Sequence, residues 1–133
     1  MVPQPPGREQ DDAVGILPGE GFMEVRHRGT YSEQAYKKFI VRPIQACLEY
    51  GLSLLLVDIS ALTEFHPTAT ERYEMGDLAS KLGQGLSRIA IFATAQQLDT
   101  HFSILVARNR GLNVRPFTDR AEALRWLLEP EKS

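Results

Sequence analysis

The sequence predicts an α/β fold: a single domain built on a mixed, mostly parallel sheet of about five strands with an N-terminal hairpin. Short apolar runs alternate with longer segments of helical apolar spacing, in the order β-β-α-β-α-β-α-β-α. A turn rich in proline and glycine, "PGEG", joins the first two strands. The chain has 133 residues, 43% hydrophobic and 24% charged, which suits one globular core.

The first elements are a disordered lead and a hairpin. Residues 1–11 are rich in proline, glutamine and charge, and we expect them to be disordered, with the folded domain spanning residues 12–129. Residues 13–17 form a short strand, and residues 22–28 form its partner. Because neither face of the second strand is purely apolar, we place this pair towards an edge of the sheet.

The first helix is predicted to begin at Ser32, from an apolar stripe that continues to Leu48. Pro43 falls inside this stripe and predicts a kink or a break near Val41, because proline removes one backbone donor. Gly51 ends the helix.

Two buried strands follow, at residues 54–59 and 87–93, and each is a nearly continuous apolar run. Residues 68–82 form the helix between them. A third helix has its apolar stripe at Leu98, Phe102, Leu105, Val106 and Asn109, and Gly111 ends it.

The last two elements are a short strand at residues 113–117 and a final helix at residues 119–128. Pro116 suits the end or the edge of a strand, because it lacks a backbone donor. Asp119 and Glu122 have the spacing of a capping box.

The composition restricts the classes of function that the chain can have. A net charge of −2 and a pI of about 5.9 argue against a general nucleic-acid binder. Cys47 is the one cysteine, which excludes an intramolecular disulfide and a cysteine-based zinc site. The first residues lack the apolar core of a secretory signal, and the longest uninterrupted apolar run, residues 54–57, is too short for a membrane span. We therefore expect a cytoplasmic protein without stable membrane insertion.

The candidate site lies where the 54–59 strand gives way to the next helix. Ligands of open α/β sheets bind outside the carboxyl ends of the strands. The candidate residues for binding a partner or ligand are Asp58, Ser60, Thr63, His66, Thr68 and Thr70. A structural alternative stays open: Thr68 and Glu71 have the spacing of a capping box, and Asp58 has the chemistry to bind loop amides.

Catalytic and metal motifs are absent from the sequence. His27, His66 and His101 lack metal-ligand spacing, and there is no GxSxG, Walker A or GxGxxG motif. Cys47 falls on the inner stripe of a helix, as a buried hydrophobic residue does. We predict no catalytic residue, no metal and no cofactor.

Four stretches together resemble the SpoIIAA-like, or STAS-like, bacterial family over about residues 12–128. They are the opening hairpin, "LLVDIS", "SRIAIFA" and "VRPFTDRAEALRWLL". The resemblance implies helices packed mainly on one face of the sheet, as in STAS domains and in the C-terminal lobe of Sec14-type lipid carriers.

The resemblance also implies a function. STAS domains of the anti-anti-sigma type carry a strand like "VDIS" and then an acid-Ser-Ser-Gly motif, whose serine is phosphorylated by a partner kinase. Here residues 57–60 match the strand, but His66, Pro67, Thr68 and Ala69 replace the motif. The expected function is therefore a non-enzymatic regulatory module that acts through protein contacts, as a homodimer, without an intact phospho-switch motif.

Two alternatives remain. The first follows from the resemblance to Sec14-like folds, which bury apolar molecules: the chain would then carry a small apolar ligand or a lipid. Phe39, Phe65, Phe102 and Trp126 are the candidates to line its cavity. The other alternative is a true switch through phosphorylation of Thr68 or Thr70 at the first turn of a helix.

Overall fold

A computed structural model describes residues 14–32, 36–98 and 102–130. Five strands in this part of the chain form one sheet in the order β1-β2-β3-β4-β5. They are β1 Val14–Pro18, β2 Met23–Thr30, β3 Leu54–Thr63, β4 Arg88–Phe92 and β5 Val114–Phe117. β1 is antiparallel to β2, and every other neighbouring pair is parallel. The predicted sheet, with its hairpin at one edge, is confirmed.

Within the described residues, four α-helices alternate with the parallel strands. They are α1 Tyr36–Glu49, α2 Ala69–Leu82, α3 Phe102–Asn109 and α4 Arg120–Leu127, and a 3₁₀ turn, Gly83–Gly85, follows α2. The element order is the predicted one. Among the described helices, none combines the length and the apolarity that a membrane crossing requires.

The helices divide unequally between the two faces of the sheet. On the face that we call the three-helix face, α1, α2 and α3 cover a core to which β3 contributes Leu55, Val57 and Ile59. On the opposite, single-helix face, Leu56 packs with Leu127 of α4 in a smaller core. Side chains alternate along a strand, so β3 supplies both cores. Packing mainly on one face, as expected, is confirmed.

β3 is four residues longer than the sequence indicates. Its pairing with β2 shifts register between Arg26 and Arg28 and then continues as far as the pair Thr30 and Thr63. This continuation keeps the chain extended after the apolar run has ended. Ser60 and Thr63 therefore lie on the strand, and its predicted end at residue 59 is wrong.

α1 passes through Pro43 without a break, so of the predicted kink or break near Val41 the break is wrong and the kink stays a prediction. Pro43 is fully buried, and its packing stabilises the helix at the position where the proline removes one hydrogen bond. The helix ends as expected: Gly51 has a φ of 68°, and the amide of Leu52 donates to the carbonyl of Cys47 at 2.9 Å. The predicted start at Ser32 runs through residues 33–35, which lie outside the described residues.

Two details of the later helices also differ. Leu105 was expected on the inner stripe of α3 but is 49% exposed, and Ile104 and Ala107 are buried beside Val106. Asp119 caps α4 by accepting from the amide of Ala121 at 3.0 Å, one residue earlier than a capping box with Glu122 requires.

Candidate functional site

The junction loop, residues 64–68 between β3 and α2, alternates between inward and outward side chains. Phe65 is half-buried and Pro67 is buried. The side chains of Glu64 and His66 are 73% and 74% exposed, and Thr68 is also exposed. The loop thus presents polar side chains to solvent while its apolar residues face the protein.

The inward side chains fix the loop to the domain. The ring of Phe65 packs edge-on against the ring of Tyr31, with 5.2 Å between centroids and 80° between planes. The hydroxyl of Tyr31 donates to the carboxylate of Glu71 at 3.3 Å. One buried cluster therefore holds both the loop and the first turn of α2.

A capping box begins α2, as the sequence predicts. The hydroxyl of Thr68 accepts from the amide of Glu71 at 3.1 Å, and the amide of Thr68 donates to the Glu71 carboxylate at 2.8 Å. The carboxylate of Glu71 is buried, which makes this pair of bonds part of the interior. Thr68 therefore has a structural role in the described fold.

Backbone conformation adds strain at the start of the loop. Glu64 has a φ of 55°, the left-handed region that favours glycine. Such conformations cost about 1 kcal/mol or more and often occur at functional sites. The adjacent His66 imidazole lies 3.9 Å from the Glu64 carboxylate.

Asp58 and Ser60 bind each other on the single-helix face. The carboxylate of Asp58 accepts from the backbone amide of Ser60 at 2.9 Å and from its hydroxyl at 2.6 Å. Asp58 also lies opposite Arg26 in the sheet register. This pair stabilises the strand where the register shifts; Asp58 binds a backbone amide as the structural alternative expects, but that amide belongs to the strand and not to a loop.

The remaining candidates lie near the carboxyl end of β3. The hydroxyl of Thr63 donates to the carbonyl of Gly29 at 3.2 Å, which ties β3 to β2. Thr70 is exposed in the first turn of α2. The structure thus places Thr63, His66, Thr68 and Thr70 in or beside the junction loop. Asp58 and Ser60 lie farther back along β3 and face the other side of the sheet.

A cavity of about 110 Å³ lies between the three-helix face and helices α1 to α3. Its lining is almost wholly apolar, with Phe65 at the junction loop and Leu98 after β4 among its members. Arg72 and Gln97 are the polar side chains among the described residues that line it. Small residues on the helices leave the space open: Gly76, Ala79 and Ala107.

The resemblance to Sec14-type carriers implies a cavity only as an alternative, and one of the residues expected to line it lies elsewhere. Phe65 lines it as expected, but Trp126 packs on the single-helix face. The side chains of Phe39 and Phe102 lie outside the described residues. One local signal was readable: Gly76 stands inside a helix, where glycine costs about 1 kcal/mol relative to alanine.

A charged cluster that the sequence does not predict surrounds Glu24 on the single-helix face. Arg26 and Arg120 both form ion pairs with the buried Glu24 carboxylate. Burial alone raises the pKa of Glu24, but the hydrogen bonds and charges of Arg120 and Arg26 outweigh it and hold that pKa below its usual value. The cluster joins α4 to β2.

The environment of Cys47 and the spacing of the possible metal ligands bear on chemical reactivity in the described structure. Cys47 is buried, and burial raises the pKa of its thiol to about 11, so the nucleophilic thiolate is disfavoured. Among residues 14–32, 36–98 and 102–130, no three His, Cys, Asp or Glu side chains group closely enough to hold a metal ion.

Comparison with known proteins identifies the class of domain. The model of the SpoIIAA-like family matches residues 22–128, which is most of the chain. The chain therefore belongs to the SpoIIAA-like family, in agreement with the resemblance noted in the sequence.

Two solved structures share the fold. One is an uncharacterised protein of the DUF3478 family from Shewanella loihica PV-4, with a SpoIIAA-like fold; it is 20% identical, with a TM-score of 0.54. The other is an anti-sigma factor antagonist from Mycobacterium paratuberculosis, 16% identical, with a TM-score of 0.60. Each comparison covers 86% of this chain and 92% of the other. The search of curated proteins finds no match.

Proposed function

We propose that this protein is a non-enzymatic regulatory module that binds a protein partner through the junction loop. The observation that carries the proposal is the construction of the loop: exposed Glu64, His66 and Thr68 stand on a backbone fixed by Phe65 and Glu71. A surface held in one conformation loses little entropy on binding. Thr63 and Thr70 border this surface. The fold that the chain shares with an anti-sigma factor antagonist supports a regulatory role.

The described geometry gives no support to a hydrolase. The hydroxyl of Ser60 donates to Asp58, and no hydrogen bond joins it to His66 in the described part of the chain. A serine nucleophile requires an adjacent base that is itself oriented by a third group. The exposed imidazole of His66 has Glu64 as its neighbour instead. We therefore propose partner binding without catalysis or a cofactor.

Control by phosphorylation of Thr68 also fits the geometry poorly. The Thr68 hydroxyl already accepts from Glu71, and a phosphate there would face the Glu71 carboxylate. Thr70 is exposed and has no hydrogen bond to a described carboxylate, so it is the better of the two acceptors. Our proposal is that partner binding does not depend on a phosphate at Thr68.

The mass of the protein purified gently from its own cells, native and then denatured, tests this function. We expect a second polypeptide that is present in the native species and lost on denaturation, with this chain as a cytoplasmic homodimer. A bare chain, as monomer or dimer, with no second polypeptide would contradict partner binding.

A second candidate function is the carriage of a small apolar ligand, and the cavity of about 110 Å³ favours it. A cavity lined by apolar side chains with a few polar groups is the usual form of a small-molecule site. In the same measurement, an added mass of small-molecule size that vanishes on denaturation would support the carrier.

A further inference from the structure

The cavity on the three-helix face has the size for a small organic molecule. Its volume is about 110 Å³, whereas an apolar cavity of about 150 Å³ binds benzene. By that comparison the cavity accepts an apolar group of roughly four to six carbon atoms. The apolar side chains of the lining offer such a group no hydrogen bonds.

Arg72 supplies a charge beside this apolar space. Residues 72, 75, 76 and 79 of α2 share the helix face that lines the cavity, and Arg72 stands at the N-terminal end of that face. Its Nε donates to the carbonyl of Pro67 at 3.2 Å. No described carboxylate lies within ion-pair distance of Arg72, and its two terminal nitrogens have no hydrogen bond to the described residues.

Gln97 is the other polar residue of the lining, and its side-chain amide already has hydrogen-bond partners within the protein. Its side-chain nitrogen donates to the carbonyls of Ile59 at 2.8 Å and Leu62 at 3.3 Å. Its side-chain oxygen accepts from the amide of Thr94 at 2.9 Å. Arg72 is therefore the side chain of the described lining that has donors to offer a ligand.

We propose that the cavity binds a small monocarboxylic acid, with the apolar body inside and the carboxylate on the terminal nitrogens of Arg72. This inference rests on the carrier candidate and names its ligand class. The planar guanidinium donates two parallel hydrogen bonds to a carboxylate. A phosphate has more charge and three acceptor oxygens, and the described lining offers no second cation to match it.

Methyl NMR of the full chain with hexanoate and hexan-1-ol as probes tests the proposal. Both probes are expected to shift the methyl signals of Ile59, Ile91 and Leu112, which line the cavity. Hexanoate should bind about tenfold more tightly, because a charged hydrogen bond adds free energy that the alcohol lacks. Ala107→Leu, which fills the cavity, should abolish the shifts caused by both probes.

Substitution of Arg72 identifies the group that binds the carboxylate. Arg72→Gln should remove the preference for hexanoate and keep hexanol binding, and Arg72→Lys, which retains a charge, should keep part of the preference. Arg108→Gln removes an exposed arginine of α3 as the matched control and should leave the preference intact.

The possible results distinguish a failure of the carboxylate assignment from a failure of the carrier candidate. Equal affinity for hexanoate and hexanol, or a full preference in Arg72→Gln, overturns the carboxylate assignment and leaves an apolar site. No shift of the lining methyls with either probe overturns the carboxylate assignment and the carrier candidate together.

Discussion

The hydroxyl of Thr68 and the carboxylate of Glu71 each bind the other residue's backbone amide. The two side-chain oxygens thus accept hydrogen bonds from two backbone amides that the start of a helix otherwise leaves without a partner. The side chain that the sequence offers as a switch is thus part of the helix start. A four-residue motif is local, which is why the sequence alone predicted it.

Removal of this cap should destabilise the domain. Thr68→Ala is expected to lower the free energy of unfolding by about 1–2 kcal/mol, because the amide of Glu71 loses its acceptor. Thr70→Ala, an exposed neighbour, is the control and should change it by less than about 0.5 kcal/mol. Urea denaturation measures both, and equal effects would contradict the structural role of Thr68.

Cys47 should be chemically silent in the folded protein. Burial excludes reagents and raises the pKa of the thiol to about 11, so little thiolate forms near neutral pH. We expect iodoacetamide at pH 8 to label Cys47 only in denaturant, as followed by intact mass. Rapid, complete labelling of the native protein would show that α1 opens at this position.

At the scale of elements, α4 is attached to the sheet at both ends. At its start, Arg120 binds Glu24 of β2. At its end, the guanidinium of Arg88 in β4 donates to the carbonyls of Trp126, Leu127 and Glu129. Cations favour the carbonyl end of a helix, so these contacts suit the helix dipole. Such bonds between distant strands and helices leave no periodic pattern in the sequence, so they could not be predicted from it.

The Glu24 cluster should make stability depend on acid pH. Because the folded-state pKa of Glu24 lies below its ordinary value of 4.5, its contribution is complete above that value and is lost as the pH falls through the folded pKa. Glu24→Gln should lower the free energy of unfolding at pH 7 by about 1–3 kcal/mol. It should also flatten the loss of stability between about pH 5 and 3.

Glu122→Gln on the same α4 is the matched control for this effect, since its side chain is exposed. Urea denaturation across the pH range should give this variant the acid response of the wild type. An unchanged response in Glu24→Gln would remove Glu24 from the explanation.

For the whole molecule, the sequence predicted the sheet because alternating strands and helices restrict the possible topologies. A cavity followed from the resemblance only as an alternative, and its position was not predicted: Gly76 and Ala79 of α2 and Ala107 of α3 line it. Small side chains on separate helices reveal a void only once their packing is known. Trp126 illustrates the same limit, because the spacing of α4 predicts an apolar stripe but not the face of the sheet that it covers.

The sequence predicted the position of some candidate residues and not of others, depending on whether that position is set by sequence proximity or by contacts between strands. Thr63, His66, Thr68 and Thr70 lie at or beside the junction loop because they are close in sequence. The continued pairing with β2 and the side-chain alternation of β3 separate Asp58 and Ser60 from them, and this depends on contacts between strands. The partner surface that we propose therefore centres on the loop and excludes the Asp58–Ser60 pair.

Site-specific photo-crosslinking in the cells that express the protein tests the partner surface most directly. A photoreactive residue at position 66 is compared with one at the exposed Ser87, which precedes β4 and so lies at the opposite end of the parallel strands. We predict a discrete protein adduct from position 66 that is absent from position 87. The same adducts from both positions, or none from position 66, would contradict partner binding through the junction loop.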